Sequence, residues 1–282
     1  MKLYQYAILM RLNRPIGILL LLWPTLWALW IAGQGHPDVL VTTVFILGVI
    51  LMRSAGCVIN DYADRNIDPH VKRTRERPLA AKRVTEKEAL ILFVVLCLIA
   101  FSLVLLMNIL TIGLSVIAAL LAAAYPFMKR YTHFPQVFLG AAFGFAIPMA
   151  FAAQTGEIPL IAWLLFVINI LWTVVYDTLY AIVDREDDLL IGVKSTAILF
   201  GKADKVIVAS LQIIVIILLL YLGMLLGYTY LYYIGIFIAA MLAIYQQWLI
   251  KDREAAKCFQ AFLNNHWFGM AVFVGIVGHY YT

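Results

Sequence analysis

Nine runs of about twenty mainly apolar residues follow one another along this chain, and its cations are confined to one set of the connecting segments. The runs lie at roughly 16–34, 38–58, 88–107, 109–126, 136–153, 160–178, 205–226, 229–250 and 264–281. About twenty such residues carry a helix across a hydrocarbon core. If successive helices reverse direction, one side receives segments 1–15, 53–88, 127–135, 179–205 and 251–263. Those segments hold all 21 Lys and Arg, from Lys2 to Lys257. The opposite segments, 34–37, 107–111, 153–160, 226–229 and the C-terminus, hold none. A wrong helix count would scatter the cations over both sides. Excess Lys and Arg mark cytoplasmic loops, so the pattern predicts a multi-pass protein with its N-terminus inside.

Composition agrees: 13% of residues are charged and 64% hydrophobic, against about 25% charged in soluble domains. Lipid must cover much of such a chain. The expected fold class is an all-α integral membrane protein of about nine transmembrane helices, forming one domain over 1–282 around a central cavity. The net charge of +5 follows from topology and does not call for a nucleic-acid partner. No obligate protein partner is inferred, and the lipid bilayer is the expected surrounding. The first apolar run has no small-residue cleavage pattern before it and reads as a retained span. Tyr4, Tyr6, Arg11 and Arg14 place the N-terminal stretch at the interface. Thr85-Glu86-Lys87-Glu88 reads as a capping box opening the third span. Cys57, Cys97 and Cys258 show no disulfide or metal spacing, and the five histidines show no ligand spacing.

Two cation-bearing loops carry more than connectors need. After the second run come Asn60, Asp64 and Asp68, at i, i+4 and i+8. At the end of the sixth come Asp177, Tyr180, Asp184 and Asp188, at i, i+3, i+7 and i+11. Each set would line one face of a helix continuing out of the membrane. Stacked carboxylates repel, and an acid near the hydrocarbon is costly by about 2.5 kcal/mol or more, so a cation is expected between the stripes. Mg²⁺ takes oxygen ligands and is commonly held by one or two carboxylates plus substrate phosphates. Lys72, Arg73, Arg75, Arg77, Lys129, Arg130 and Lys194 would balance the remaining charge of a diphosphate. Bringing the stripes together requires a bundle with a site between its helices.

The segments Asn60–Asp68 and Asp177–Asp188 closely resemble the two signatures of the UbiA family of intramembrane aromatic prenyltransferases. The basic run Arg73-Thr-Arg-Glu-Arg77-Pro78-Leu79 also resembles that family, while Tyr125-Pro126-Phe-Met-Lys129-Arg130, Gly192-Val-Lys194 and the stretch from Leu9 through Arg14-Pro15-Ile-Gly17 to Trp30 are similar to its 4-hydroxybenzoate-using bacterial branch. The resemblance covers nearly the whole chain. It implies a cavity opening sideways into the bilayer of a bacterial inner membrane, capped by the acidic loops on the cytoplasmic side. It implies Mg²⁺ bound by Asn60, Asp64, Asp68, Asp184 and Asp188, with Asp64, Asp68, Asp184, Asp188 and Arg130 in the catalytic set. Arg73, Lys129, Arg130 and Lys194 would hold phosphate, with Arg130 also a candidate for the benzoate carboxylate. Arg14 and Arg53 are further candidates for the aromatic acid, and Asp177, Tyr125 and Tyr180 would line the substrates. The implied reaction is transfer from polyprenyl diphosphate to ring carbon 3 of 4-hydroxybenzoate, in ubiquinone biosynthesis. Asp184 or the released diphosphate would take the ring proton. Another aromatic acceptor, such as homogentisate or a naphthoate, is the alternative within the family. Outside it stands a transporter with functional acids, although transporter sites tend to lie near the midplane on broken helices. A phosphotransferase acting on CDP-alcohols also uses Asp-rich helices, but its Asp-Gly…Ala-Arg pattern is missing.

Overall fold

The computed structural model describes residues 2–70 and 74–282. Its helices are α1 (Lys2–Leu9), α2 (Ile16–Ala32), α3 (Val39–Ala63), α4 (Glu86–Val104), α5 (Ile109–Tyr131), α6 (Pro135–Gly144), α7 (Ala146–Thr155), α8 (Leu160–Ile191), α9 (Thr196–Phe200), α10 (Asp204–Leu225), α11 (Tyr230–Leu249) and α12 (Ala255–Tyr280). Among the described residues there is no strand. Eight helical stretches are long and apolar enough to span a bilayer, and α2, at 17 residues, makes the ninth. The nine expected runs therefore hold, with two refinements.

The fifth span is two helices. Pro148 has no N–H for the carbonyl of Gly144 and its ring collides with that carbonyl, so the helix breaks between Gly144 and Ala146. The third and fourth spans are separated at Asn108, whose side chain accepts from the Thr111 N–H at 2.9 Å and donates to the Ala152 carbonyl at 2.6 Å. The capping box at Thr85 is present, with Glu88 returning to the Thr85 N–H. The Lys2 ammonium and the Tyr6 hydroxyl also donate to Glu88, tying α1 to the start of α4.

Aromatic side chains hold the centre. Trp27 of α2 stacks on Trp172 of α8, and Trp172 stacks on Phe268 of α12. Both indoles are satisfied, Trp27 on the Gly269 carbonyl and Trp172 on Asn265, as buried donors require. An amide chain, Gln247 to Gln212 to Gln246 to Asn264, joins α10, α11 and α12. Hydrogen bonds between helices of this kind bind membrane bundles together where the hydrophobic effect cannot.

On the basic face, the fully buried Asp204 at the start of α10 accepts from Arg185 of α8 and from Arg253 in the α11–α12 loop. Arg253 also donates to the Lys202 carbonyl. Removing one partner of a buried ion pair leaves the others uncompensated. Asp204→Ala is expected to destabilise the protein by about 3 kcal/mol, the low end because both guanidinium groups are partly exposed. Thermal unfolding in detergent would read this; a transition unmoved from wild type would show that the clamp contributes nothing.

Candidate active site

A cavity of about 1140 Å³ lies between α2, α3, α4, α5, α6 and α8, and the two acidic motifs meet at it. The second motif forms as expected. α8 runs unbroken from the membrane to Ile191, ending at Gly192 in the left-handed conformation (φ +70°). Asp177, Tyr180, Asp184 and Asp188 all line the cavity along this one helix.

The first motif does not form one helical stripe, and this corrects the expectation. α3 stops at Ala63, Asp64 is its C-cap, and the chain turns: the Ile67 and Asp68 N–H groups both donate to the Asp64 carbonyl at 2.8 Å. Asp68 then sits in a short 3₁₀ turn, Asp68–His70. Pro69 explains the break, because it cannot face a helical carbonyl at Arg65 four residues earlier. Asn60, Asp64 and Asp68 still all reach the cavity, Asp68 by way of the turn.

The carboxylates are held by cations. Asp64 accepts through Oδ2 from Lys129 of α5, while its Oδ1 is buried without a partner. Asp68 accepts from Arg77 at 2.9 and 3.2 Å. Burial pushes the Asp68 carboxyl above its ordinary range; Arg77 opposes this, and the charges of Asp61 and Asp64 add to it. A carboxyl in that position is one that a further cation would stabilise.

Lys194 lines the cavity; its ammonium donates to the Tyr131 carbonyl and its N–H to the Lys129 carbonyl, so it is docked on the end of α5. Arg130 is placed differently from the expectation. It is exposed, does not line the cavity, and donates to the Ala63 carbonyl at 3.1 Å from beside the Phe127 ring. From there it fixes the end of α3 that presents Asp64. Lys72 and Arg73 lie outside the described residues.

Deeper in, Arg53 of α3 points into the cavity. Its Nη1 donates to the Cys57 thiol at 3.0 Å, its guanidinium lies 5.8 Å from the Phe143 ring centroid, and its Nε is buried without a partner. A Cβ on Gly17 of α2 would overlap this guanidinium, so the glycine makes room for it. Tyr125, Tyr176 and Tyr180 share this wall, backed by Phe143 and Phe262. Arg14 lies at the exposed rim. Three contributors were not legible as site residues. Asp61 accepts from both Arg11 and Arg77. Gln136 hydrogen-bonds Asp177 and accepts from the Thr196 N–H. Gly17 carries no chemistry of its own. Asp61 had a visible signal, as an acid between Asn60 and Asp64, but nothing local told it from a solvated residue.

The residues suit Mg²⁺. Among the described residues no three acidic, histidine or cysteine side chains converge on one point. A metal held by one or two carboxylates and completed by substrate phosphates needs no such cluster. The orphaned Asp64 oxygen, with Asn60 and Asp68 nearby in the chain, supplies hard oxygen donors of the required kind.

The family model described as the UbiA prenyltransferase family matches residues 21–270. The chain belongs to that family. A relative from Nitrosococcus oceani, named 4-hydroxybenzoate octaprenyltransferase, is 64% identical over 281 residues, covering 100% of this chain and 99% of its own. One from Methylococcus capsulatus with the same name is 64% identical over 275 residues, covering 98% and 94%. Among solved structures, the apo UbiA homolog from Aeropyrum pernix K1 matches with a TM-score of 0.82 at 23% identity, over 92% of this chain and 97% of that one. A UbiA homolog from Archaeoglobus fulgidus bound to GPP and Mg²⁺ matches with a TM-score of 0.71 at 17% identity, over 96% and 99%. These two likenesses establish the UbiA fold. Family membership also removes the transporter and phosphotransferase readings.

Proposed function

We propose that this protein transfers a polyprenyl group from polyprenyl diphosphate to ring carbon 3 of 4-hydroxybenzoate, releasing diphosphate, at a Mg²⁺-dependent site on the cytoplasmic side of a bacterial inner membrane. The acceptor is carried by the full-length relatives at 64% identity that bear this activity in their names. The architecture supports it: one cavity joins a charged mouth, an aromatic wall and a deep arginine.

In this reading Asn60, Asp64 and Asp68 from one side, and Asp184 and Asp188 from the other, hold the metal and diphosphate between them. Mg²⁺, when bound, neutralises the charge that develops on the departing diphosphate. Lys129, Lys194 and Arg77 at the mouth hold the phosphate oxygens, and Arg130 acts indirectly by fixing the end of α3. The allylic cation left behind faces Tyr125 and Tyr180, whose rings attract positive charge. Arg53 receives the benzoate carboxylate along the guanidinium edge that carries the unpartnered Nε, and so turns the ring toward the cation. Asp184 or the released diphosphate then takes the ring proton. Excluding water from the apolar part of the cavity protects the cation from hydrolysis.

The direct experiment incubates purified protein with Mg²⁺, prenyl diphosphates of several lengths and several aromatic acids, and identifies products by mass spectrometry. The expected product is 3-prenyl-4-hydroxybenzoate, lost on adding EDTA and restored by excess Mg²⁺. Transfer that resists the chelator would exclude the metal role. A product from a different aromatic acid in preference to 4-hydroxybenzoate would overturn the acceptor.

A further inference from the structure

The Asp61 carboxylate is 1% exposed, and cations occupy both its oxygens. Arg11 Nη2 donates to Oδ1 and Oδ2 at 2.9 Å each, and Arg77 Nη1 donates to Oδ1 at 3.0 Å. Asp64, three residues on, has one buried oxygen without a partner. Asp64 is thus arranged to receive something, whereas Asp61 is already engaged. Arg77 is shared, since the same Nη1 also donates to Asp68. Arg11 reaches this point from the α1–α2 loop through a left-handed backbone (φ +59°).

We infer that Asp61 is a positioning residue, holding the Arg77 guanidinium at the cavity mouth for the diphosphate of the prenyl donor. This rests on the reading of the cavity as a Mg²⁺–diphosphate site. Arg77 sits on a loop, so helix packing does not fix its long side chain. In the free protein two carboxylates hold it. A metal that engaged Asp68 would draw it from Arg77, and Asp61 would be the carboxylate left to keep the guanidinium aimed at the phosphates. A held guanidinium loses less freedom on binding an anion than a loose one. Because Asp61 is already doubly bonded to arginines, its effect is transmitted through Arg77 and not by ligating the metal.

The test is calorimetric titration of Mg²⁺–pyrophosphate into the full-length protein in detergent, which needs no turnover. Wild type is expected to bind; absence of binding would overturn the site reading and this inference together. Asp61→Asn is expected to bind about ten- to a hundredfold more weakly, the range of one charged hydrogen bond. Arg77→Met should match it, and the double variant should be no weaker than Arg77→Met alone. Arg11→Met, which cuts only the tether to α1, should bind as wild type does. With wild type binding, three results would each defeat the inference: normal binding by Asp61→Asn, losses that multiply in the double variant, or equal weakening by Arg11→Met. If Asp61→Asn does not survive purification, Asp61→Glu carries the same comparison. It displaces Arg77 while keeping the charge, and its loss should again vanish in the Arg77→Met background.

Discussion

Asp64→Asn is expected to abolish prenyl transfer, lowering kcat/KM by at least about a thousandfold, as loss of charge stabilisation at a reacting phosphate does. The substitution keeps the shape of the side chain and removes its charge. Asp64 is 4% exposed and places one oxygen on Lys129 and the other, unpartnered, in the cavity wall. The amide keeps a carbonyl for Lys129 but presents a neutral group where a cation must sit. The backbone should hold, because the Asp64 N–H donates to the Asn60 carbonyl at 3.0 Å and Arg130 holds Ala63. Thermal unfolding in detergent should therefore stay within a few degrees of wild type while turnover disappears. Asp184→Asn, on the other motif, should behave the same way, since the diphosphate is gripped from both sides. Near-normal activity in either variant would end the two-motif mechanism.

The parts of this architecture that lipid dictates were legible in the sequence. A bilayer demands apolar runs of fixed length, so the nine spans followed from the run lengths, and the grouping of every Lys and Arg in alternate connecting segments supported the count. The second motif was legible for a similar reason: α8 has no proline between Leu160 and Ile191 to interrupt the period. The first motif was misread as a continuing stripe although Pro69 was in view. The same oversight hid the Pro148 break. What no local pattern carried were contacts between distant residues. Asp61 meets Arg11 across 50 positions, Asp204 meets Arg253 across 49, and Gly17 accommodates Arg53. Arg130 shows the converse: a motif match named it for substrate, yet in the packed bundle Lys129 faces the cavity and its neighbour faces away. Adjacent residues on a helix point about 100° apart, so Lys129 lines the cavity while Arg130 reaches the end of α3.

Arg53→Met should separate the two substrates. A guanidinium within the membrane is costly, and this one has a weak sulfur acceptor, an aromatic neighbour, the Asp177 carboxylate within electrostatic reach and an unpartnered Nε. Such a charge is retained where a ligand supplies the missing partner, and an aromatic carboxylate is an anion of the right shape for a forked donor. Met keeps the length and apolar contacts and removes the charge. Two charge-assisted hydrogen bonds, at about 1.5–3 kcal/mol each, correspond to a rise in KM for 4-hydroxybenzoate of roughly a hundredfold or more. Arg53 lies below the charged mouth, so Mg²⁺–pyrophosphate affinity should stay within about twofold of wild type, as expected for an interaction lost with one substrate only. Steady-state kinetics with each substrate varied in turn, beside calorimetry with Mg²⁺–pyrophosphate, would check both halves. If the aromatic KM is unchanged, Arg53 does not hold the acceptor. If both substrates weaken together, the guanidinium organises the whole cavity instead of reading the benzoate.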